Sequence, residues 1–206
     1  MLLRPVHAHR PPPGVALAAW ADALAEDTYE VLSGLAVLDA AVICPASERD
    51  RAAALVWPGT AIHVLPDSGS RPAGATTALD LLLNAGAQAA IVVSDDVPDL
   101  PGLLLGKLFS ALEGAVTTAS TAGHRTPPDR PAAGGLVALG ACAPRPSWMP
   151  EISLDAEDAL GQLQRAAPAG GLALTPGWRR LRSAADHELL DDGLEGWPAT
   201  RALLGR

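Results

Sequence analysis

Aromatic side chains are scarce in this sequence: phenylalanine, tryptophan and tyrosine together supply 3% of the 206 residues, and five of them are tryptophans. Trp57, Trp148, Trp178 and Trp197 fall in loops or at element ends. Packing over a core edge is the plain role for such rings, with stacking on a base or sugar, or covering an interface, as alternatives. Lysine is rarer still, Lys107 being the single one among 15 basic residues. At a net charge of −8 the chain lacks the clustered cations that phosphate-backbone contacts need, which argues against nucleic acid as a partner. No apolar run approaches the roughly 20 residues of a membrane span, so no membrane partner is expected. The start, Met1-Leu2-Leu3-Arg4-Pro5-Val6, lacks the apolar stretch of a signal peptide, and a cytoplasmic location is expected. The two cysteines, Cys44 and Cys142, are far apart, show no Cys-x-x-Cys spacing and read as buried thiols. Gly-x-Gly-x-x-Gly, Walker-type and Gly-x-Ser-x-Gly motifs are absent, leaving dinucleotide, P-loop and serine-hydrolase readings without support.

What is present is a hydrophobic content of 49% and a length that suits one domain over 1–206. Short apolar runs alternate with helical patterns, the signature of an α/β chain with a mostly parallel sheet and crossover helices. Leu17, Trp20, Ala21, Leu24, Thr28, Val31, Leu32 and Leu35 follow helical spacing, with Gly34 near the end. A strand is expected over 37–44, then a short helix capped by Ser47, then a strand over 61–65. A loop from Pro66 to Gly74 leads to a helix near 76–85, for which Gly86 is the stop. Ala89-Ala90-Ile91-Val92-Val93 suits the centre of a sheet buried on both faces. Pro101 falls where a first helical turn tolerates proline, and Leu104, Leu105, Leu108 and Leu112 continue that helix. The second half reads as a strand near 115–118, an aperiodic Gly/Pro stretch over 119–133, and a strand over 134–140. A helix capped by Asp155, a strand over 172–174, and helices near 185–190 and 199–204 follow.

The loop Ser94-Asp95-Asp96-Val97-Pro98-Asp99 carries the strongest chemical signal. Ligands of open α/β sheets bind beyond the carboxyl ends of the strands, which is where this loop lies. Carboxylates there can hold Mg²⁺ or Mn²⁺ against a diphosphate and neutralise charge on the leaving phosphate. Alternatively, Asp95, Asp96 and Asp99 only cap the next helix and solvate a turn. His7, His9, His63, His124 and His187 show no metal-ligand spacing beyond His7-x-His9, and read as surface or loop side chains. Arg179, Arg180 and Arg182 form a basic cluster suited to a phosphate or simply to water.

Taken in order, these segments resemble the DUF2064 group of small glycosyltransferase-like proteins. Pro11-Pro12-Pro13-Gly14 stands where that group has a Pro-x-Pro-Gly turn, and Leu24-Ala25-Glu26-Asp27-Thr28 echoes its Leu-Leu-x-Asp-Thr-like helix end. Asp95-Asp96-Val97-Pro98-Asp99-Leu100-Pro101 aligns with Ser-Asp-Ser-Pro-Asp-Leu-Pro. The run from Ala133 through Gly134, Gly135 and Leu136 to Gly140 is similar to Asp-Gly-Gly-Tyr-Tyr-Leu-x-Gly, and Thr200-Arg201-Ala202-Leu203-Leu204 matches the C-terminal pattern. The resemblance spans nearly the whole chain. It implies a single-domain three-layer α/β sandwich with the GT-A nucleotide-diphospho-sugar transferase fold.

It also implies a nucleotide-sugar or other small-molecule partner held by Pro13, Gly14, Asp95, Asp96, Asp99, Gly134, Gly135 and Arg180. Asp96 would be the ligand of a Mg or Mn ion; no catalytic residue is assigned, and a homodimer is left open. Three departures accompany the matches. The Lys-Thr-Arg segment that follows the Pro-Gly turn is missing, Asp-Gly-Gly begins with Ala133, and Trp-x-Asp-Val-Asp becomes Trp178-Arg179-Arg180-Leu181-Arg182. Cations in place of acids repel a divalent ion at short range. Three functions follow: a metal-dependent glycosyltransferase, a catalytically degenerate binding module, or a nucleotidyltransferase of the 2-phospholactate guanylyltransferase type. The last requires N-terminal basic residues, of which only Arg4 and Arg10 exist.

Overall fold

A computed structural model describes residues 1–36, 38–66, 74–114, 117–121, 135–194 and 196–206. Most of the expected loops at 66–74 and 119–133, together with Gly134 and His124, lies outside the described residues. The chain forms two compact units: Met1–Val64 with Asp95–Gly102 and Arg180–Arg206, and Leu65–Ser94 with Leu103–Arg179.

In the first unit α1 (Leu17–Ser33) carries a wide buried face. Trp20, Leu24 and Leu32 lie inside as their spacing predicts, but so do Ala23, Ala25, Asp27 and Tyr29, whereas Leu17 is exposed. Helical spacing of large residues misses the alanines because small side chains let neighbouring segments approach closely. The parallel pair β1 (Ala41–Cys44) and β2 (Ala61–Val64) runs in register from Ala41↔Ala61 to Cys44↔Val64. The N-terminal segment joins β1 in parallel through Leu2↔Ile43, with Leu3 N–H donating to the Ile43 carbonyl at 2.8 Å. Between the strands, α2 (Arg49–Leu55) follows a 3₁₀ turn over Ala46–Glu48; Ser47 sits inside that turn, and no side chain caps α2. The C-terminal segment adds a 3₁₀ turn over Asp186–Leu189, where an α-helix was expected, and α6 (Pro198–Leu203). Trp20, Leu24, Leu181, Leu190 and Trp197 form one buried cluster of the unit, so Trp197 packs inside rather than lying open to a base or sugar.

In the second unit α3 (Ala75–Asn84) stops at Gly86, whose φ of +107° is the left-handed geometry that favours glycine. Its four-stranded sheet has the order β3-β5-β4-β6, formed by β3 (Ala89–Val93), β5 (Leu136–Cys142), β4 (Thr117–Thr121) and β6 (Leu172–Leu174). The expectation of a mostly parallel sheet is met only in part. β4 and β6 are parallel, as are β1 and β2, but β5 is antiparallel to both β3 and β4. Interior to this sheet is β5, not β3: Leu136–Ala141 are all buried, while Ala89 and Ile91 on β3 are half-buried. Gly140 permits the close packing, since a Cβ there would stand 2.9 Å from Ile91 Cγ1 and 3.4 Å from Leu112 Cδ1. Leu112 belongs to α4 (Gly102–Gly114), which begins directly after Pro101. The helix expected behind Asp155 starts later, as α5 (Ala159–Ala166), with no side-chain cap; the Asp155 N–H donates instead to Ser153 Oγ at 3.2 Å. Among the described residues, no helix is long and apolar enough to cross a membrane.

Candidate functional site

Asp95 and Asp96 follow β3 and its last extended residue, Ser94, and both side chains are fully buried in the first unit. Burying two adjacent carboxylates is costly unless each receives charged donors. Arg4 supplies them to Asp95: its Nε donates to Oδ1 at 2.7 Å and its backbone N–H to Oδ2 at 2.8 Å. Arg180 supplies them to Asp96 in a bidentate fork, Nε to Oδ1 at 2.7 Å and Nη2 to Oδ2 at 3.0 Å. The Nη2 of Arg4 reaches Asp96 Oδ2 at 2.8 Å and ties the two pairs into one network.

His9 completes this cluster. Its ring is buried, with Nδ1 at 3.3 Å from Arg4 Nη2 and Nε2 at 3.4 Å from Asp95 Oδ2. A guanidinium only donates, so Nδ1 accepts, and the proton sits on Nε2 facing the carboxylate. His9 lies in a loop, one of the two places expected for the histidines, but its ring is buried rather than at the surface.

Backbone bonds fix the frame. Leu181 N–H donates to the Asp96 carbonyl at 2.9 Å, so the segment bearing Arg180 is anchored on the loop it neutralises. Thr28 Oγ1 on α1 donates to the Asp95 carbonyl at 3.4 Å. The Arg4 carbonyl accepts from Arg51 Nη1 at 3.0 Å, and Arg51 Nε is tied to Asp22 at 2.6 Å. Asp27, next to Thr28, accepts from the N–H groups of Ala199 and Thr200 at 3.0 and 2.7 Å, capping α6 across the unit. The Asp-Thr and Thr-Arg-Ala-Leu-Leu segments, far apart in sequence, are thus direct partners.

Electrostatics agree with this geometry. Burial by itself raises the pKa of Asp95, the largest single influence; Arg4 and His9 together outweigh it and hold the carboxyl below the usual carboxylate range. Asp96 follows the same logic: burial raises its pKa, while Arg180 and then Arg4 more than compensate. For Asp27 burial prevails, raising its pKa despite the bonds from Thr200 and Ala199.

The remaining predicted site residues are dispersed. Asp99 is buried. Pro13 and Gly14 form an exposed turn closed by Val15 N–H to the Pro12 carbonyl at 3.2 Å, with Gly14 at φ +84°. No hydrogen bond links this turn to Asp95 or Asp96 among the described residues. Gly135, at φ +101°, precedes β5 in the second unit. Arg179 lies over the Trp178 ring at 4.6 Å, and Arg10 Nη1 donates to the carbonyls of His7 and His9, both at 2.9 Å. Neither Asp95 nor Asp96 is a helix cap: Asp96 spends both oxygens on guanidinium groups, and Asp95 spends one on the Arg4 guanidinium and the other on the Arg4 backbone N–H. A separate open cleft of about 780 Å³ lies at the N-terminal ends of β1 and β2, beside Tyr29, Glu30, Asp39 and the 63% exposed Trp57.

A divalent ion on Asp96 fits this arrangement poorly. Both carboxylate oxygens already accept from guanidinium groups, and the ion would stand beside two permanent cations. Among the described residues, no group of three or more His, Cys, Asp or Glu is arranged to hold a metal ion.

Arg4 and His9 are what sequence reasoning missed as functional partners of the loop. Arg4 was visible as a cation directly after an apolar Met1-Leu2-Leu3 run. Had that run been read as a strand beside β1, Arg4 would stand at a carboxyl end, where the acidic loop was also placed.

Solved structures carry the same architecture. A protein from Desulfovibrio desulfuricans G20, provisionally assigned as a nucleotide-diphospho-sugar transferase, superposes with a TM-score of 0.61 at 18% identity, over 91% of this chain and 83% of that one. The chain shares the fold of that protein. CMP:2-keto-3-deoxy-manno-octonic acid synthetase, solved with CTP, superposes with a TM-score of 0.55 at 12% identity, over 88% of this chain and 87% of that one. At such identities the likeness establishes a shared fold alone. No family model matches the chain, and no curated protein matches it either.

Proposed function

We propose that this chain is a glycosyltransferase-like protein of the DUF2064 type that takes a nucleotide-linked sugar and passes the sugar to a small-molecule acceptor. The observation that carries this reading is the acidic loop following β3 in a chain with the nucleotide-diphospho-sugar transferase fold. Transfer in such a site depends mainly on positioning and on stabilising charge at the leaving diphosphate. The CTP bound to the synthetase neighbour supports a nucleotide as the ligand class. Calorimetry with UDP-, GDP- and dTDP-sugars tests it: one of these donors binds, and binding by none of them overturns the reading. A cytoplasmic location and a homodimer remain part of the proposal; sedimentation checks the second.

One observation favours a second reading. Asp95 and Asp96 are both held in ion pairs, as a binding module without catalysis would allow. A donor that binds and is never consumed with any acceptor supports the module; turnover rejects it. The nucleotidyltransferase reading gains from the synthetase neighbour but loses because Arg4 and Arg10, its N-terminal cations, are engaged with Asp95, Asp96 and backbone carbonyls.

A further inference from the structure

The Asp96 carboxylate is neutralised by a cation that belongs to the chain. Arg180 and Asp96 are both fully buried, and the fork uses one donor for each oxygen. Bidentate pairing of this kind is specific in direction as well as in charge. Arg180 is also positioned by backbone, since the neighbouring Leu181 N–H holds the Asp96 carbonyl. Arg4 is positioned independently, through the Arg51 bond to its carbonyl and its own N–H bond to Asp95. Two carboxylates thus meet two guanidinium groups, and the cluster is balanced before any ligand arrives. To coordinate Asp96, a divalent ion would have to displace the Arg180 fork and break a buried ion pair.

We propose that Arg180 is the resident counter-cation of Asp96, so that the loop neither requires nor admits a divalent metal and ligand binding there is metal-independent. The ligand half of this inference rests on the nucleotide-sugar reading; the metal half does not. Crystals of the full chain soaked in Mn²⁺ decide the metal half by anomalous scattering. No Mn²⁺ at Asp96 is expected, and a peak there overturns the proposal. Titration with Mn²⁺ followed by electron paramagnetic resonance extends it to variants. Arg180→Gln gains affinity by about tenfold or more, because one close positive charge is gone, and Arg180→Gln/Asp96→Asn loses that gain. A folded Arg180→Gln protein without the gain rejects the counter-cation role. If Arg180→Gln does not fold, the soaked wild-type crystal decides alone.

Calorimetry of UDP-, GDP- and dTDP-sugars in EDTA and in Mn²⁺ then tests the ligand half. Equal binding in the two supports the proposal, and loss of binding in EDTA overturns it. Absence of binding in both overturns the nucleotide-sugar reading and leaves the counter-cation role to the Mn²⁺ measurements.

Discussion

Truncating Arg180 removes the fork from a carboxylate that has no access to water. Breaking a buried ion pair on one side costs about 3–5 kcal/mol, since the surviving charge keeps its burial penalty. Arg180→Ala is therefore expected to lower unfolding stability by about that amount, measured by urea denaturation. Asp96→Leu combined with Arg180→Met recovers most of the loss, because exchanging both charges for apolar volume is close to neutral. Recovery falls short of complete to the extent that Arg4 Nη2, also bound to Asp96, loses a partner. His9 belongs to the same scale. Its Nε2–H faces Asp95 and its Nδ1 accepts from Arg4, so His9→Phe keeps the ring and removes both polar contacts. A destabilisation of about 1–3 kcal/mol is expected, smaller than for Arg180→Ala because no buried ion pair is broken.

At the level of elements, α6 has six residues and no cap of its own, its N-cap position being Trp197 at φ +52°. Asp27 on α1 satisfies two of its orphan N–H groups. Asp27→Ala should cost about 0.5–2 kcal/mol and accelerate amide exchange at Ala199 and Thr200 ahead of the rest of the unit. A corresponding constraint operates in the second unit. Gly74 precedes α3, and a Cβ there would lie inside van der Waals contact with the Glu151 carboxylate and the Ile152 carbonyl. The approach is held by Ala75 N–H to the Ile152 carbonyl at 2.6 Å and by Ile152 N–H to Thr76 Oγ1 at 2.9 Å. Gly74→Ala is expected to lower the urea midpoint by more than a surface substitution does, through displacement of residues 150–152. The helix signals in the sequence located α3 and its stop at Gly86, because those depend on local spacing and on a left-handed glycine. Such signals gave no hint of the Gly74 contact, which depends on a segment more than 70 residues away.

For the whole molecule, the buried carboxylates set the acid limb of stability. Asp95 and Asp96 have folded pKa values below their unfolded value, which is near 3.9 for aspartate. Their contribution is fully present above the unfolded value and disappears as pH falls through it toward the folded values. Asp27, with a raised folded pKa, acts in the opposite sense: its contribution declines as pH rises from below the unfolded value through the folded one. With two depressed groups against one raised, unfolding free energy is expected to fall from about pH 5 to pH 3, followed by circular dichroism in urea. Asp96→Asn should reduce the slope of that limb by about one proton.

Much of the outline was legible without a structure. The bounds of β3 and β6, the helical character of 17–33 and the stop at Gly86 follow from apolar runs, periodicity and glycine, all of them properties of neighbouring residues. So does the position of Asp95 and Asp96, two acids that follow the carboxyl end of an apolar strand. Strand direction was not legible, and β5 proved antiparallel, because pairing joins segments whose order in space no local pattern encodes. Nor was the charge state of the loop. By composition Asp95-Asp96 is an anionic site awaiting a cation; in the folded unit Arg4 and Arg180, 91 and 84 residues away, have already supplied it. Long-range ion pairs form only when folding excludes water from both partners, so tertiary structure alone decided what the acidic loop is paired with.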